Sequence, residues 1–237
     1  KEVIELAIEF SNNKLQIIAG TGSNSTEEAI TLTKHAHSVG ANSALVVVPY
    51  YNKPTQDGMY AHYMKIAESV DLPIFIYNIP GRSVVDMDNE TIAKLALHEN
   101  IIGIKDASND LARPLELRQL VTHKYFYQLS GEDGTQLSFL ANGGDGVISV
   151  TANVVPGLIA KMHGLWFKKQ FQEAIEINNR LVDLNKTMFL ESNPIPVKYA
   201  TSRIGLCKNE LRLPLTKATE MTKNSINEAL DKLKVEE

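Results

Sequence analysis

Short apolar runs closed by polar clusters recur along the chain as far as Val150, with stretches of helical period between them. Val3, Leu6, Ala7 and Phe10 fall on one helical face, and Leu15–Gly20 then reads as a strand that turns at Thr21-Gly22-Ser23-Asn24. A helix follows at once, with Ser25 and Glu28 spaced as a capping box and Gly40 as its stop. The same sequence of signals repeats. Strands are expected at Ala44–Val48, Pro73–Tyr77, Ile101–Lys105, Tyr125–Leu129 and Gly146–Val150. Helices are expected at Gln56–Val70 and Asn89–Leu97, then in a segment that tolerates Pro114 in its first turn, and in one that stops at Gly143-Gly144. Strands alternating with helices in this way predict right-handed βαβ units and a parallel sheet.

After Pro156 the period is helical throughout, over Leu158–Phe167, Phe171–Leu190, Ile195–Ile204 and Thr216–Leu233, with Asn193-Pro194 and Leu213-Pro214 as punctuation. Repeated βα units fit either an open doubly wound sheet or part of an eightfold barrel, and periodicity does not choose between them. The turn Gly20-Thr21-Gly22-Ser23-Asn24-Ser25 lacks the third glycine of a dinucleotide fingerprint.

Composition narrows the function. The chain has 237 residues, 43% of them hydrophobic and 22% charged, ample for a large core. A net charge of -4 and the absence of a basic stripe argue against nucleic acid as a ligand. Cys207 is the single cysteine, so no internal disulfide can form, which fits a reducing compartment. No apolar run is long enough to span a bilayer, and the chain reads as soluble and cytoplasmic, without a membrane partner.

Candidate chemistry collects at the carboxyl ends of the expected strands, where parallel α/β folds bind ligands. These ends supply Thr21, Tyr50-Tyr51, Tyr77-Asn78, Lys105-Asp106, Glu132-Asp133 and Ser149 to Thr151. Lys105 is out of place in the apolar run Ile101-Ile102-Gly103-Ile104. Desolvation favours the free amine of a lysine, which can attack a carbonyl and form a Schiff base. The ordinary alternative is a lysine that snorkels to water where the strand leaves the core. Tyr77 ends the preceding strand, so the two side chains are expected at one cavity, where a phenol can relay protons during imine formation. Arg82, just beyond it, could clamp a carboxylate through two parallel hydrogen bonds or be a plain surface arginine. Glu132 and Asp133 have no histidine near them in sequence, and a helix start accounts for them. No metal and no cofactor are called for, and the six histidines are expected to be solvated.

These residues together carry a resemblance. Gly20-Thr21-Gly22-Ser23-Asn24, Pro49-Tyr50-Tyr51-Asn52-Lys53-Pro54, Tyr77-Asn78-Ile79-Pro80-Gly81-Arg82, Ile101 to Lys105, Gly143 to Asn153 and Asn193-Pro194-Ile195-Pro196-Val197-Lys198 run in family order. The chain resembles the pyruvate-dependent class I aldolases of the N-acetylneuraminate lyase superfamily, and within them the dihydrodipicolinate synthase family most closely. The resemblance implies a (β/α)8 TIM barrel with a C-terminal helical extension, usually a homotetramer. Residues 1–155 would carry βα units of the barrel, and residues 156–237 its last helix and the helical extension. It implies that Lys105 forms a Schiff base with pyruvate and that the enamine attacks L-aspartate semialdehyde on the diaminopimelate route to lysine. Tyr77 would relay protons, and Tyr51 would complete the relay in a neighbouring subunit's site. Arg82 would hold the semialdehyde carboxylate, while backbone at Gly131 and Ile148 would line the pocket. Asn24, Glu28 and Tyr50 match positions where some members bind lysine as a feedback inhibitor.

Arg82 favours the synthase over the alternative, a sugar-acid aldolase or N-acetylneuraminate lyase, which share the lysine and tyrosine but usually lack this arginine. A third reading is a catalytically inactive binding protein that keeps the fold. Two departures stand out. Ser83-Val84-Val85 replaces a common threonine-glycine pair, a change expected to alter loop shape more than chemistry. The family's first two strands and its paired threonines are also lacking, so the chain is expected to be an N-terminally incomplete portion of a longer protein.

Overall fold

The computed structural model describes residues 1–234. The chain divides into two compact units, one of Lys1–Glu132 with Ser138–Val147, the other of Asp133–Leu137 with Ile148–Glu237. The first unit is built from α1 (Glu2–Ser11), β1 (Ile18–Gly20), α2 (Thr26–Ser38), β2 (Ser43–Val47), α3 (Gln56–Ala67), β3 (Ile74–Asn78), α4 (Pro80–Ser83), α5 (Asn89–Leu95), β4 (Ile101–Asp106), α6 (Arg113–Leu120) and β5 (Tyr127–Ser130). The helix α7 (Gln136–Ala141) and the strand β6 (Gly146–Val147) follow. All strand pairs are parallel, in the order β1-β2-β3-β4-β5-β6. A doubly wound sheet reverses its strand order at a switch point. This sheet does not, so each strand simply follows its predecessor.

Pleating sends successive side chains to opposite faces of the sheet. Val46, Ile76 and Ile104 are wholly buried, and with Tyr63 and Ile66 of α3 and Ile92 and Leu95 of α5 they form one core cluster. Burying each such side chain contributes about 1.5–3 kcal/mol. The Tyr63 hydroxyl donates to the Val46 carbonyl at 2.6 Å, so the ring adds apolar area without leaving a polar orphan. Leu45, Val47, Tyr77 and Lys105, on alternate positions, are only half-buried.

One irregularity decides which side chains meet. Ile74 pairs with Ile101, but Phe75 pairs with Gly103, leaving Ile102 as an extra residue in β4. Such a bulge flips the facing of everything beyond it. As a result Tyr77 lies opposite Lys105, on the same face. Gly103 is needed for this, since a Cβ there would fall 2.5 Å from the Tyr127 carbonyl oxygen and 2.7 Å from the Phe75 ring.

The second unit is helical, with α8 (Pro156–Phe167), α9 (Phe171–Thr187), α10 (Ile195–Arg203) and α11 (Glu220–Leu233). Ala174, Leu181 and Leu184 of α9 and Ile226 of α11 are wholly buried at helical spacing. Among the described residues no helix is long and apolar enough to cross a membrane.

Several expectations need correcting in detail. The first strand is Ile18–Gly20 rather than Leu15–Gly20, and the last helix begins at Glu220 rather than Thr216, behind Thr219 as its N-cap. The last strand stops at Val147 instead of Val150 because the amides of Val150 and Thr151 turn to the Asp133 carboxylate, at 2.8 and 3.3 Å, and open a 3-10 turn. Ser25 caps α2 as expected, but Glu28 does not close the box: its carboxylate accepts from the Ser23 hydroxyl. Gly40 does stop α2, with φ +92. Not all the histidines are solvated. His62 is 5% exposed, with Nδ1 2.9 Å from the Thr26 hydroxyl and Nε2 unpartnered. Burial lowers its pKa to about 4.

Candidate active site

The ends of β3 and β4 bring Tyr77 and Lys105 together. The Lys105 Nζ lies over the Tyr77 ring, 4.1 Å from its centroid. A cation over an aromatic face is attracted by the ring quadrupole. The lysine therefore does not snorkel away into solvent but is held on the phenol ring. On its other side the chain leaves β5 at Gly131, whose amide donates to the Asp106 carbonyl at 2.7 Å. A Cβ on Gly131 would stand 2.7 Å from the Ala107 Cβ and 3.1 Å from the Lys105 Cε. The glycine thus makes room for the lysine side chain, and it is not among the residues that line the cavity beside Tyr77.

Burial raises the pKa of the Tyr77 hydroxyl, Arg82 opposes that shift and Glu132 adds to it. The phenol is thus kept protonated, with the Arg82 guanidinium and the Glu132 carboxylate acting on it in opposite senses. A neutral phenol can both give and accept a proton, as a relay requires.

A cavity of about 560 Å³ opens beside Tyr77, lined also by Gly22, Val47, Tyr50, Tyr51, Ile79, Arg82 and Val84. Lys105 is not part of this lining; its nitrogen lies against the ring of Tyr77, which is. Arg82 and Tyr50 do share the cavity, as the positions of strand ends β2 and β3 suggest. Gly22 is obligatory at its wall, because a Cβ there would meet the Val47 amide nitrogen at 2.4 Å. Tyr51 is 86% exposed and has φ +71. A left-handed backbone is costly for an aromatic residue and persists only where its surroundings impose it.

Asn24 and Tyr50 lie on adjoining loops, and Glu28 stands in the first turn of α2. The Asn24 Nδ2 donates to the Tyr50 carbonyl at 3.2 Å, and Asn52 Nδ2 donates to the Asn24 carbonyl at 3.0 Å. Glu28 joins them through Ser23. Thr21, by contrast, is wholly buried and accepts from the Thr33 hydroxyl at 2.9 Å, so it serves the packing of α2.

Glu132 and Asp133 part company. Asp133 belongs to the second unit, where its carboxylate accepts from the Ser149 hydroxyl and from the backbone amides after it. Ile148 lies in that unit as well, directly before the segment that Asp133 holds. Among the described residues no group of three or more histidine, cysteine, aspartate or glutamate side chains is placed to hold a metal ion.

Two residues counted with the strand-end chemistry, Asn78 and Asp106, turn away from the site, and two that join them behind the sheet, Asp86 and Arg113, went unmarked in the sequence. Asn78 and Asp106 directly follow Tyr77 and Lys105, point to the opposite face, and hydrogen-bond to each other at 3.0 Å. Asp86 and Arg113 complete the set. The available signal was the parity of the strands: a polar residue next to a site residue faces the helix layer and needs a partner there.

Residues 1–233 match the Dihydrodipicolinate synthetase family. The chain is 54% identical to a 4-hydroxy-tetrahydrodipicolinate synthase of Gluconobacter oxydans over 98% of its own length and 78% of that protein. Among solved structures it is similar to a chloride-inhibited dihydrodipicolinate synthase from Acinetobacter baumannii complexed with pyruvate, with 45% identity and a TM-score of 0.95 over 99% of this chain and 80% of that one. It is also similar to a dihydrodipicolinate synthase from Cyanidioschyzon merolae with lysine bound, with 37% identity and a TM-score of 0.94 over 99% of this chain and 80% of that one. The chain belongs to the dihydrodipicolinate synthetase family.

Proposed function

We propose that this protein is a Schiff-base-forming lyase that condenses pyruvate with L-aspartate semialdehyde, the reaction of 4-hydroxy-tetrahydrodipicolinate synthase in diaminopimelate and lysine biosynthesis. The observation that carries the reading is the Lys105 amine held over the Tyr77 ring beside the cavity that Arg82 lines. The amine adds to the pyruvate carbonyl and the carbinolamine loses water, leaving an imine. Loss of a proton from the methyl carbon gives an enamine, whose carbon attacks the aldehyde. Tyr77 delivers and removes the protons these steps require, and Arg82 holds the carboxylate of the aldehyde substrate.

The sequential strand order supports reading the sheet as six strands of a (β/α)8 barrel, in which neighbours in sequence are neighbours around the axis. The outward Tyr51, held in a left-handed conformation, supports an assembly in which it enters a neighbouring subunit's site. We take that assembly to be a homotetramer. The cluster of Asn24, Glu28 and Tyr50, together with a lysine-bound relative, supports these residues as a feedback site for lysine.

Borohydride reduction in the presence of pyruvate tests the central step. A mass increase confined to Lys105 is expected, alongside turnover of pyruvate with aspartate semialdehyde. Cleavage of N-acetylneuraminate without that turnover would replace the synthase reading by the lyase one, and an intact protein that gives no adduct is not an imine-forming enzyme.

A further inference from the structure

The chain leaves β3 at Asn78, passes through α4 with Arg82, and comes back to Asn78 eight residues later. Asn78 closes this circuit itself. Its Nδ2 donates to Asp86 Oδ1 at 2.7 Å, and its Oδ1 accepts the Met87 amide at 3.1 Å. Arg113, the first residue of α6 and only 6% exposed, grips the same point from the other side. One guanidinium nitrogen donates to both Asp86 oxygens at 3.1 Å and another to the Met87 carbonyl at 2.8 Å. A buried arginine that is bound on a carboxylate fixes the carboxylate's place as well as its charge.

Within the circuit the backbone is strained. Val84 has φ +68, in a region that a β-branched residue avoids, and it is 64% exposed, so no packing of its own side chain holds it there. Such a conformation persists only when the segment is fixed at both ends. One end is Ile79, whose carbonyl accepts from the Arg82 and Ser83 amides and from the Ser83 hydroxyl. The other is Asp86.

We propose that Asp86, clamped by Arg113 and Asn78, is a positioning residue that fixes the loop presenting Arg82 to the cavity, and so sets affinity for the carboxylate-bearing aldehyde substrate without touching it. The part concerning substrate rests on the reading of Arg82 given above. Asp86 suits a test because its side chain is 48% exposed, whereas those of Arg113 and Asp106, at 7% and 3%, lie in the core.

The experiment compares Asp86→Asn and Asp86→Ala with the unaltered intact protein by amide hydrogen exchange and by steady-state kinetics. Exchange at the Arg82, Ser83 and Val84 amides should accelerate about tenfold or more, with the Ile104 amide in the middle of β4 unchanged. KM for aspartate semialdehyde should rise roughly tenfold, while KM for pyruvate and the rate of borohydride trapping stay within about twofold. Unchanged exchange across the loop overturns the anchor whatever the kinetics show. A parallel loss of pyruvate affinity and trapping also overturns it, by reducing Asp86 to general support of the fold. Faster loop exchange with an unchanged KM upholds the anchor and places the failure in the role given to Arg82, which Arg82→Ala would confirm by leaving the same KM unaltered.

Discussion

Replacing Gly131 by alanine adds one methyl group at the tightest point beside the reactive amine. The added carbon would fall 2.7 Å from the Ala107 Cβ, about 0.7 Å inside ordinary contact, and 3.1 Å from the Lys105 Cε, about 0.3 Å inside it. The two contacts relax differently. Ala107 has no rotamer to change, so β4's end or the β5 turn must move, and overpacking of this kind costs about 1–3 kcal/mol. Lys105 can swing, but the swing takes its nitrogen off the Tyr77 ring. A misplacement approaching an ångström at a reacting atom can cost on the order of a hundredfold in rate. The expected outcome is a protein whose unfolding temperature drops by roughly 2–12 °C, given about 2–4 °C per kcal/mol at this size. Its rate of borohydride trapping with pyruvate should fall by about tenfold to a hundredfold. Differential scanning calorimetry and intact-mass trapping read the two effects separately. A Gly131→Ala protein with unaltered melting and trapping would refute the argument that the glycine exists to seat the lysine.

Three further perturbations follow from the same geometry. Tyr77→Phe keeps the ring under Lys105 but removes the proton relay, so imine formation should slow by about 10²- to 10⁴-fold while folding is retained; near-normal turnover would assign the relay elsewhere. His62 is neutral in the fold down to a pKa of about 4, whereas in the unfolded chain it takes up a proton near 6.5. Stability is therefore complete above pH 6.5 and declines as pH falls toward 4, by roughly 3 kcal/mol at most from this group. Urea titrations at stepped pH should show a shallower decline in His62→Gln, and equal slopes would contradict the assignment. Val84→Gly relieves a left-handed backbone worth about 1–2 kcal/mol while giving the unfolded chain about 0.4–1 kcal/mol of extra freedom. Its measured stability should lie between unchanged and about 1.6 kcal/mol higher, and a clear loss in a denaturation midpoint would show that the backbone there is not strained.

Much of the unit that carries Tyr77 and Lys105 was legible because its information is local. Apolar runs ending in polar clusters marked all six strands, and alternation with helical periods marked a parallel sheet. The places of Tyr77 and Lys105 at strand ends followed from the same pattern, whereas Arg82, expected in a loop, stands in α4. What did not follow was anything set by pairing. Ile102 bulges, and only that shift puts the phenol opposite the amine; no residue in either strand announces it. The strand order, which separates a barrel-like succession from a doubly wound sheet, is likewise a property of neighbours brought together. The anchor of Asn78, Asp86, Asp106 and Arg113 joins residues from four separate places, β3, the loop before α5, β4 and α6, whose partnership no single stretch of sequence shows. His62 reads as one more helical histidine until α3 packs and desolvates it. Periodicity along a chain specifies which face of an element turns inward. Which inward groups then touch depends on register, bulges and packing, and these are settled only when distant segments compete for the same space.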